Sequence, residues 1–285
     1  MNGQLPAVAG RVFLRTLRQE RRPQYYDYVP PRCDARTPLL VAMHGISRNA
    51  REQALVFAHT ADVLHCPLIA PLMSETVAKG YQRLGWGKGE VRADRLLDDC
   101  VADFAALTRQ NYGKLLLWGF SGGAQFAHRY ALHHPERTAA LMLGAAGWYT
   151  WPDEKRRFPY GLGARHLAAD QGLDLAGFLA VPTLLLVGSR DVTRDDATRT
   201  SRRVDRQQGQ NRLERAQRWV VALHDAARQR GIAPGAQLEI LPGIAHDFHA
   251  FADVGVASLV ARWCSEQTHR ALTNMDRTLG DTIHA

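Results

Sequence analysis

The sequence predicts an α/β fold with a mostly parallel central sheet and helices on both faces. Three observations carry this. Short, continuous apolar runs recur along the chain, as strands buried on both faces require. Segments with apolar residues at helical spacing separate them. The runs end at glycine-containing turns, and strands alternating with helices build right-handed parallel crossover units around one sheet.

The elements follow in order. Residues 1–24 are mixed and basic and predict a loosely attached N-terminal arm or edge strand. Tyr25 to Val29 alternates apolar and polar positions and stops at Pro30-Pro31, the pattern of a short early strand. Leu39 to Met43 is a buried strand that runs into His44-Gly45-Ile46. Ala54, Leu55, Phe57, Ala58, Ala61 and Leu64 give a helix over 50–64, and Pro67 to Leu72 the next strand. Gly80, Gly85, Gly87 and Gly89 make Ser74 to Glu90 a loop. A helix is expected over 91–112, a strand over Leu115 to Trp118 with a helix after it, and a strand over Ala139 to Ala146.

The stretch from Gly147-Trp148-Tyr149-Thr150-Trp151-Pro152 to Gly163 is too irregular for a sheet element. It reads as the start of a short cap or lid over about 148–180, or as a surface loop whose tryptophans fill the core edge. Thr183 to Val187 is a strand ending at Gly188-Ser189-Arg190-Asp191. An Arg-rich helical insertion is expected over about 192–232, its helix spanning roughly 201–230. Gln237 to Leu241 is the last strand, and a final helix runs from about 253 to 270. The division expected is thus an arm, one domain over 25–271 and a polar, fraying tail over 272–285.

Charge and cysteine usage narrow the function classes. The 285 residues carry a net charge of +8. Between Arg190 and Arg230 eleven arginines face six acids, interspersed, as on a solvated helix with i,i+4 pairs such as Glu214–Arg218. No nucleic-acid-binding motif accompanies the charge, so nucleic acid is not the expected partner, whereas an anionic substrate is compatible with it. Cys33, Cys66, Cys100 and Cys264 form no C-x-x-C pair and predict free thiols in a reducing compartment. No apolar run reaches the ~18 residues of a membrane span. Basic residues follow rather than precede Ala7-Val8-Ala9-Gly10, unlike a secretory signal, so the expected setting is cytoplasmic, with no membrane partner.

The chemistry centres on Gly119-Phe120-Ser121-Gly122-Gly123, a G-x-S-x-G pattern between a strand and a helix. A strand turning straight into a helix strains its central residue, and glycines on either side let the two elements approach. The serine hydroxyl is then exposed above the sheet edge, and the Gly122 N–H points to where an anionic oxygen could sit. A serine needs a base to take its proton, histidine titrates near neutrality, and a carboxylate fixes the imidazole tautomer. Ser121, Asp191 and His246 all fall at the C-terminal ends of predicted strands, in the order Ser, Asp, His. Asp195 and Asp196 are alternatives for the acid, and His249 for the base. Ile46 is the candidate for a second oxyanion N–H. Asp98 and Asp99 read as a solvated helix face.

With Met43-His44-Gly45, the Gly119–Gly123 pattern and Gly243-Ile244-Ala245-His246-Asp247, the chain from about 25 to 270 resembles the α/β-hydrolase superfamily. Leu39 through Asn49 is similar to the polyhydroxybutyrate-depolymerase and feruloyl-esterase branch, although that branch commonly has Cys where this chain has Ile46. The resemblance implies hydrolysis of an ester, thioester or similar acyl bond in a small-molecule substrate, without metal or organic cofactor. It implies catalytic Ser121, His246 and Asp191, with the N–H groups of Ile46 and Gly122 as oxyanion hole. Expected pocket residues are Trp86, Phe120, Trp148, Tyr149 and Trp151, with His44 either there or structural within the oxyanion loop. The short lid suggests small or medium acyl groups. Rival readings are a peptidase, thioesterase or perhydrolase on the same residues, and a non-catalytic binding protein that keeps the fold.

Overall fold

The continuous apolar runs lie in the middle of one sheet, where both faces are covered and nearly every side chain is removed from water. The computed structural model describes residues 8–17, 23–34, 37–85, 91–163, 172–195 and 198–283, with side chains to residue 270. Its strands are β1 Val12–Thr16, β2 Gln24–Tyr28, β3 Leu39–Met43, β4 Leu68–Leu72, β5 Leu115–Phe120, β6 Thr138–Gly144, β7 Thr183–Gly188 and β8 Ala236–Leu241. They lie in the order β1-β2-β4-β3-β5-β6-β7-β8. The pairs β1/β2 and β2/β4 are antiparallel, and every other pair is parallel. The chain has the α/β-hydrolase fold, as read from the sequence.

The helices are α1 Ala50–Leu64, α2 Glu75–Ala78, α3 Ala93–Thr108, α4 Gly122–His133, α5 Leu175–Ala180, α6 Arg202–Gln208, α7 Arg212–Gln229, α8 Phe248–Asp253 and α9 Val256–Ile283. Strand periodicity sends alternate residues to opposite faces. Leu115 and Leu117 of β5 join the core under α3, α4 and α7, while Leu116, Trp118 and Phe120 join the one under α1, α8 and α9. The indole N–H of Trp118 donates to Gln53 Oε1 of α1 at 2.9 Å, so this large buried side chain leaves no polar atom unpaired.

Several boundaries differ from the sequence reading. Of the two readings of residues 1–24, the edge strand is the one found over Val12–Thr16, where β1 is held by a buried ion pair between Arg15 and Asp27 at 2.6 Å. The loop after β4 contains α2 and a 3-10 turn at Tyr81–Arg83. The long helix expected over 201–230 is two, α6 and α7, parted at Gly209 with φ +105°. A short helix α8, absent from the sequence reading, precedes the final helix and is parted from it at Gly255 with φ +80°, and α9 runs on to Ile283 through the segment expected to be a fraying tail. The Glu214–Arg218 pair forms at the surface, 3.5 Å apart. Arg212 and Arg215 of the same helix point inward and are buried. They share the helical period of Ala216, Trp219, Leu223 and Ala227, which the reading of this helix as a solvated one overlooked.

Candidate active site

Ser121 occupies the single residue between β5 and α4, with φ +53° and ψ −108°. This backbone region costs a non-glycine residue about 1–3 kcal/mol and persists only where the surroundings over-determine it. Here they do. A Cβ on Gly119 would sit 2.3 Å from the Gly123 carbonyl oxygen, and one on Gly123 2.2 Å from that of Met43. The first turn of α4 is therefore packed directly on β3 and β5. The Ser121 N–H donates to the Gly144 carbonyl at 2.7 Å, and its own carbonyl accepts from the Gln125 N–H at 3.1 Å.

The loops after β7 and β8 pack together for a similar reason. A side chain at Gly188 would meet the Ile244 carbonyl at 2.1 Å, and the Arg190 N–H donates to that carbonyl at 2.8 Å. This contact brings Asp191 beside His246. His246 Nδ1 lies 2.9 Å from Asp191 Oδ2, and His246 Nε2 lies 3.0 Å from Ser121 Oγ. An ionised carboxylate only accepts, so the Nδ1 bond puts the neutral ring's proton there and leaves the Nε2 lone pair facing the serine hydroxyl.

Arg212, which the sequence reading placed on a solvated helix, is the second partner of Asp191. Its guanidinium donates to Asp191 Oδ1 at 3.2 Å and to Asp195 at 2.9 Å. Asp191 Oδ1 is thus occupied and Oδ2 is left for the histidine. Asp195 is not the acid facing His246. Burial pushes its carboxyl upward, but hydrogen bonds from Arg212 and Thr198 outweigh this and hold it down at about 2. Asp196 lies outside the described residues. His249 is exposed, and its ring approaches Glu52 at 3.8 Å instead.

The loop Met43-His44-Gly45-Ile46 borders the serine. Among the described residues neither the Ile46 N–H nor the Gly122 N–H donates to a protein acceptor. The two residues adjoin, because a Cβ on Gly122 would lie 3.1 Å from Ile46 Cγ2 and 2.7 Å from Tyr81 Oη. The Tyr81 hydroxyl donates to the His44 carbonyl at 2.8 Å, which ties this loop down.

The expected pocket residues separate into groups. His44 is fully buried and its ring is spent on backbone: Nδ1 to the Gly45 carbonyl at 2.7 Å and Nε2 from the Met73 N–H at 3.0 Å. Burial lowers its pKa to about 4. It is a structural residue, and the pocket assignment is corrected. Phe120 is not a wall either. It stacks under His246, with centroids 5.2 Å apart and 18° between planes, and is backed by Phe248 and Phe251. Tyr149 is buried and stacks on Trp219 at 4.3 Å. Trp151 packs on the same core. Tyr149 belongs to the interior because Trp219 of α7 covers it, which local sequence does not reveal, whereas Trp151 is half-buried at the core edge. Trp86 lies outside the described residues. Trp148 does line a cleft, of about 830 Å³, together with Gln125, Ile46 and Gln82, the last two of which adjoin Gly122; neither Ser121 nor His246 lines it. Among the described residues no group of three His, Cys, Asp or Glu side chains could hold a metal ion. No described helix is long and apolar enough to cross a membrane.

Neither family models nor curated sequences match the chain. Solved structures do. A poly(3-hydroxybutyrate) depolymerase from Bordetella parapertussis is 28% identical, with a TM-score of 0.73 over 88% of this chain and 90% of that one. Poly(aspartic acid) hydrolase-1 from Sphingomonas sp. KT-1 is 23% identical, with a TM-score of 0.73 over 90% and 99%. An S-formylglutathione hydrolase from Agrobacterium tumefaciens, at 14% identity and a TM-score of 0.57 over 87% and 94%, shares the fold. The chain is similar to the depolymerase and esterase branch of the α/β-hydrolases, and these relatives support a hydrolase.

Proposed function

We propose that this chain is a serine hydrolase that cleaves a carboxylic ester or thioester through an acyl-enzyme intermediate. One observation carries the reading: the unbroken hydrogen-bonded chain from Ser121 Oγ through His246 to buried Asp191, with the serine held at positive φ. His246 Nε2 takes the hydroxyl proton as Ser121 Oγ attacks the acyl carbon. Asp191 stabilises the imidazolium formed, and Arg212 keeps that carboxylate in place. The N–H groups of Ile46 and Gly122 receive the oxyanion, one such donor being worth ~10²–10³ in rate. His246 then returns the proton to the leaving alcohol or thiol. Water, deprotonated by the same nitrogen, releases the acid and restores Ser121. The residues used all belong to this chain, and a cytoplasmic setting accords with the free cysteines.

The test compares wild type with Ser121→Ala on p-nitrophenyl esters of increasing chain length, alongside labelling by an uncharged fluorophosphonate. Wild type should turn over and be labelled at Ser121, and the variant should lose both, down to about the residual rate left without a nucleophile. A wild type that is neither active nor labelled refutes the hydrolase reading.

A further inference from the structure

Gly45 joins two peptide planes in the loop after β3. A glycine restricts φ and ψ less than any other residue, so hydrogen bonds on the flanking peptides must set these planes. The Gly45–Ile46 plane is set from within the loop. Its carbonyl accepts the Arg48 N–H at 3.1 Å and faces His44 Nδ1 at 2.7 Å. The peptide is trans, so the Ile46 N–H points the opposite way. The His44–Gly45 plane is set from outside, because its carbonyl accepts the Tyr81 hydroxyl at 2.8 Å. This loop passes directly beside the serine: a Cβ on Gly45 would lie 3.6 Å from Ser121 Cβ.

Tyr81 is itself held from two sides. It is fully buried, with its ring 5.2 Å from that of His44. The Arg48 guanidinium covers the ring at 4.9 Å and donates to the Ala78 and Lys79 carbonyls, both at 3.4 Å. On the other side stands Arg129 of α4, buried and without a carboxylate partner among the described residues. Its Nη1 donates to the Gln82 carbonyl at 2.5 Å and to the Gln125 carbonyl at 3.1 Å, and its Nε to Thr150 Oγ1 at 3.0 Å. A charge that is costly to bury thus ties the turn carrying Tyr81 to the helix that begins at Gly122. Tyr81 Oη lies 2.7 Å from where a Cβ on Gly122 would stand. Burial pushes the phenol pKa up, so the hydroxyl keeps its proton and stays a donor.

We propose that Tyr81 is a positioning residue for the oxyanion hole: its hydroxyl, wedged between the His44 carbonyl and Gly122, holds the loop that carries the Ile46 N–H in register with the Gly122 N–H. The inference rests on the hydrolase reading and adds to it a residue outside the Ser121–His246–Asp191 chain. Among the described residues Tyr81 makes no hydrogen bond to any of those three. Its influence falls on where the transition-state charge sits, and proton transfer is left alone.

Tyr81→Phe removes the hydroxyl and keeps the ring. It is assayed well below its melting temperature, as protein whose circular dichroism matches wild type. On the p-nitrophenyl ester that wild type turns over best, kcat and kcat/KM should fall equally, by about tenfold or more, since the hole acts in the transition state. Labelling of Ser121 by an uncharged fluorophosphonate, whose phosphonyl oxygen gains charge during attack, should slow by a similar factor. The pH midpoint of kcat/KM, set by His246, should not move. Tyr25→Phe is the control. It removes another buried hydroxyl, bonded to Asp103 at 2.7 Å and three strands from β5, and should leave all of these readings at wild type. Gly122→Ala, which retains Tyr81, should also be labelled slowly. In Gly122→Ala/Tyr81→Phe the atom that the new methyl would strike is gone, so the double variant should be no slower than the slower single one. Wild-type labelling of Tyr81→Phe or of Gly122→Ala would overturn the inference while leaving the hydrolase intact. So would a shifted pH midpoint, an equal loss in Tyr25→Phe, or single losses that multiply in the double variant. A wild type that is neither active nor labelled sinks the hydrolase reading itself.

Discussion

Replacing Arg212 by Met separates the structural from the catalytic role of the carboxylate next to His246. In the folded chain Arg212 is 1% exposed, as is the Asp191 side chain, while Asp195 is 44% exposed. Removing one partner of a buried pair strands the other charge and costs about 3–5 kcal/mol. The Asp195 arm, screened by water, accounts for roughly 0–1 kcal/mol of interaction. Nearly all of the loss therefore comes from Asp191, left with His246 as its remaining side-chain partner among the described residues. At about 2–4 °C per kcal/mol for a chain somewhat shorter than this one, the melting temperature should fall by on the order of 10 °C. Freed at Oδ1, the carboxylate loses its fixed orientation, and kcat on an activated ester should fall by about tenfold or more, since small misplacements in a catalytic constellation cost up to ~10². Asp195→Asn is the control and should change stability by about 1 kcal/mol or less. Thermal and urea unfolding by circular dichroism, with ester turnover on the same preparations, measure both effects. If Arg212→Met melts with Asp195→Asn, within a degree or two, the buried pair does not exist as described and the argument for Arg212 as a positioning residue fails.

Two further outcomes are expected. Stability should decline as pH falls from about 6.5 to about 4. His44 and His128 are both fully buried, each accepting a backbone N–H at Nε2, and burial lowers the pKa of both, that of His44 to about 4. Their unfolded forms bind protons below ~6.5 while the folded forms do not, so each removes about 1.4 kcal/mol per pH unit across that window. Asp27, whose carboxyl is raised by burial, opposes this in part. Urea titrations at pH 7, 5.5 and 4.5 test it, and a flat profile contradicts the assignment. Gly122→Ala should cut ester turnover about tenfold or more, because its Cβ would meet Tyr81 Oη at 2.7 Å and displace the loop that carries the Ile46 N–H; wild-type kcat in this variant refutes the role given to that loop.

Much of this molecule was legible in short stretches of sequence. The alternation of apolar runs with helical spacing determined a parallel sheet layered by helices, because strand and helix periods are local properties of the chain. The glycines around Ser121 announced a strand-to-helix turn too tight for side chains, and the order Ser121, Asp191, His246 at strand ends identified the residues that the fold brings within hydrogen-bond distance. Tertiary structure alone decided what covers each side chain. Whether His44 faces a pocket or a backbone amide, and whether Tyr149 lines a cleft or stacks on Trp219, depends on which distant segment packs above it. The same holds for charge. Composition registers an excess of arginine, but burial turns Arg212 into the anchor of Asp191 and leaves Arg129 without a counter-ion among the described residues, since the cost of a charge is set by the water and partners around it rather than by its neighbours in sequence.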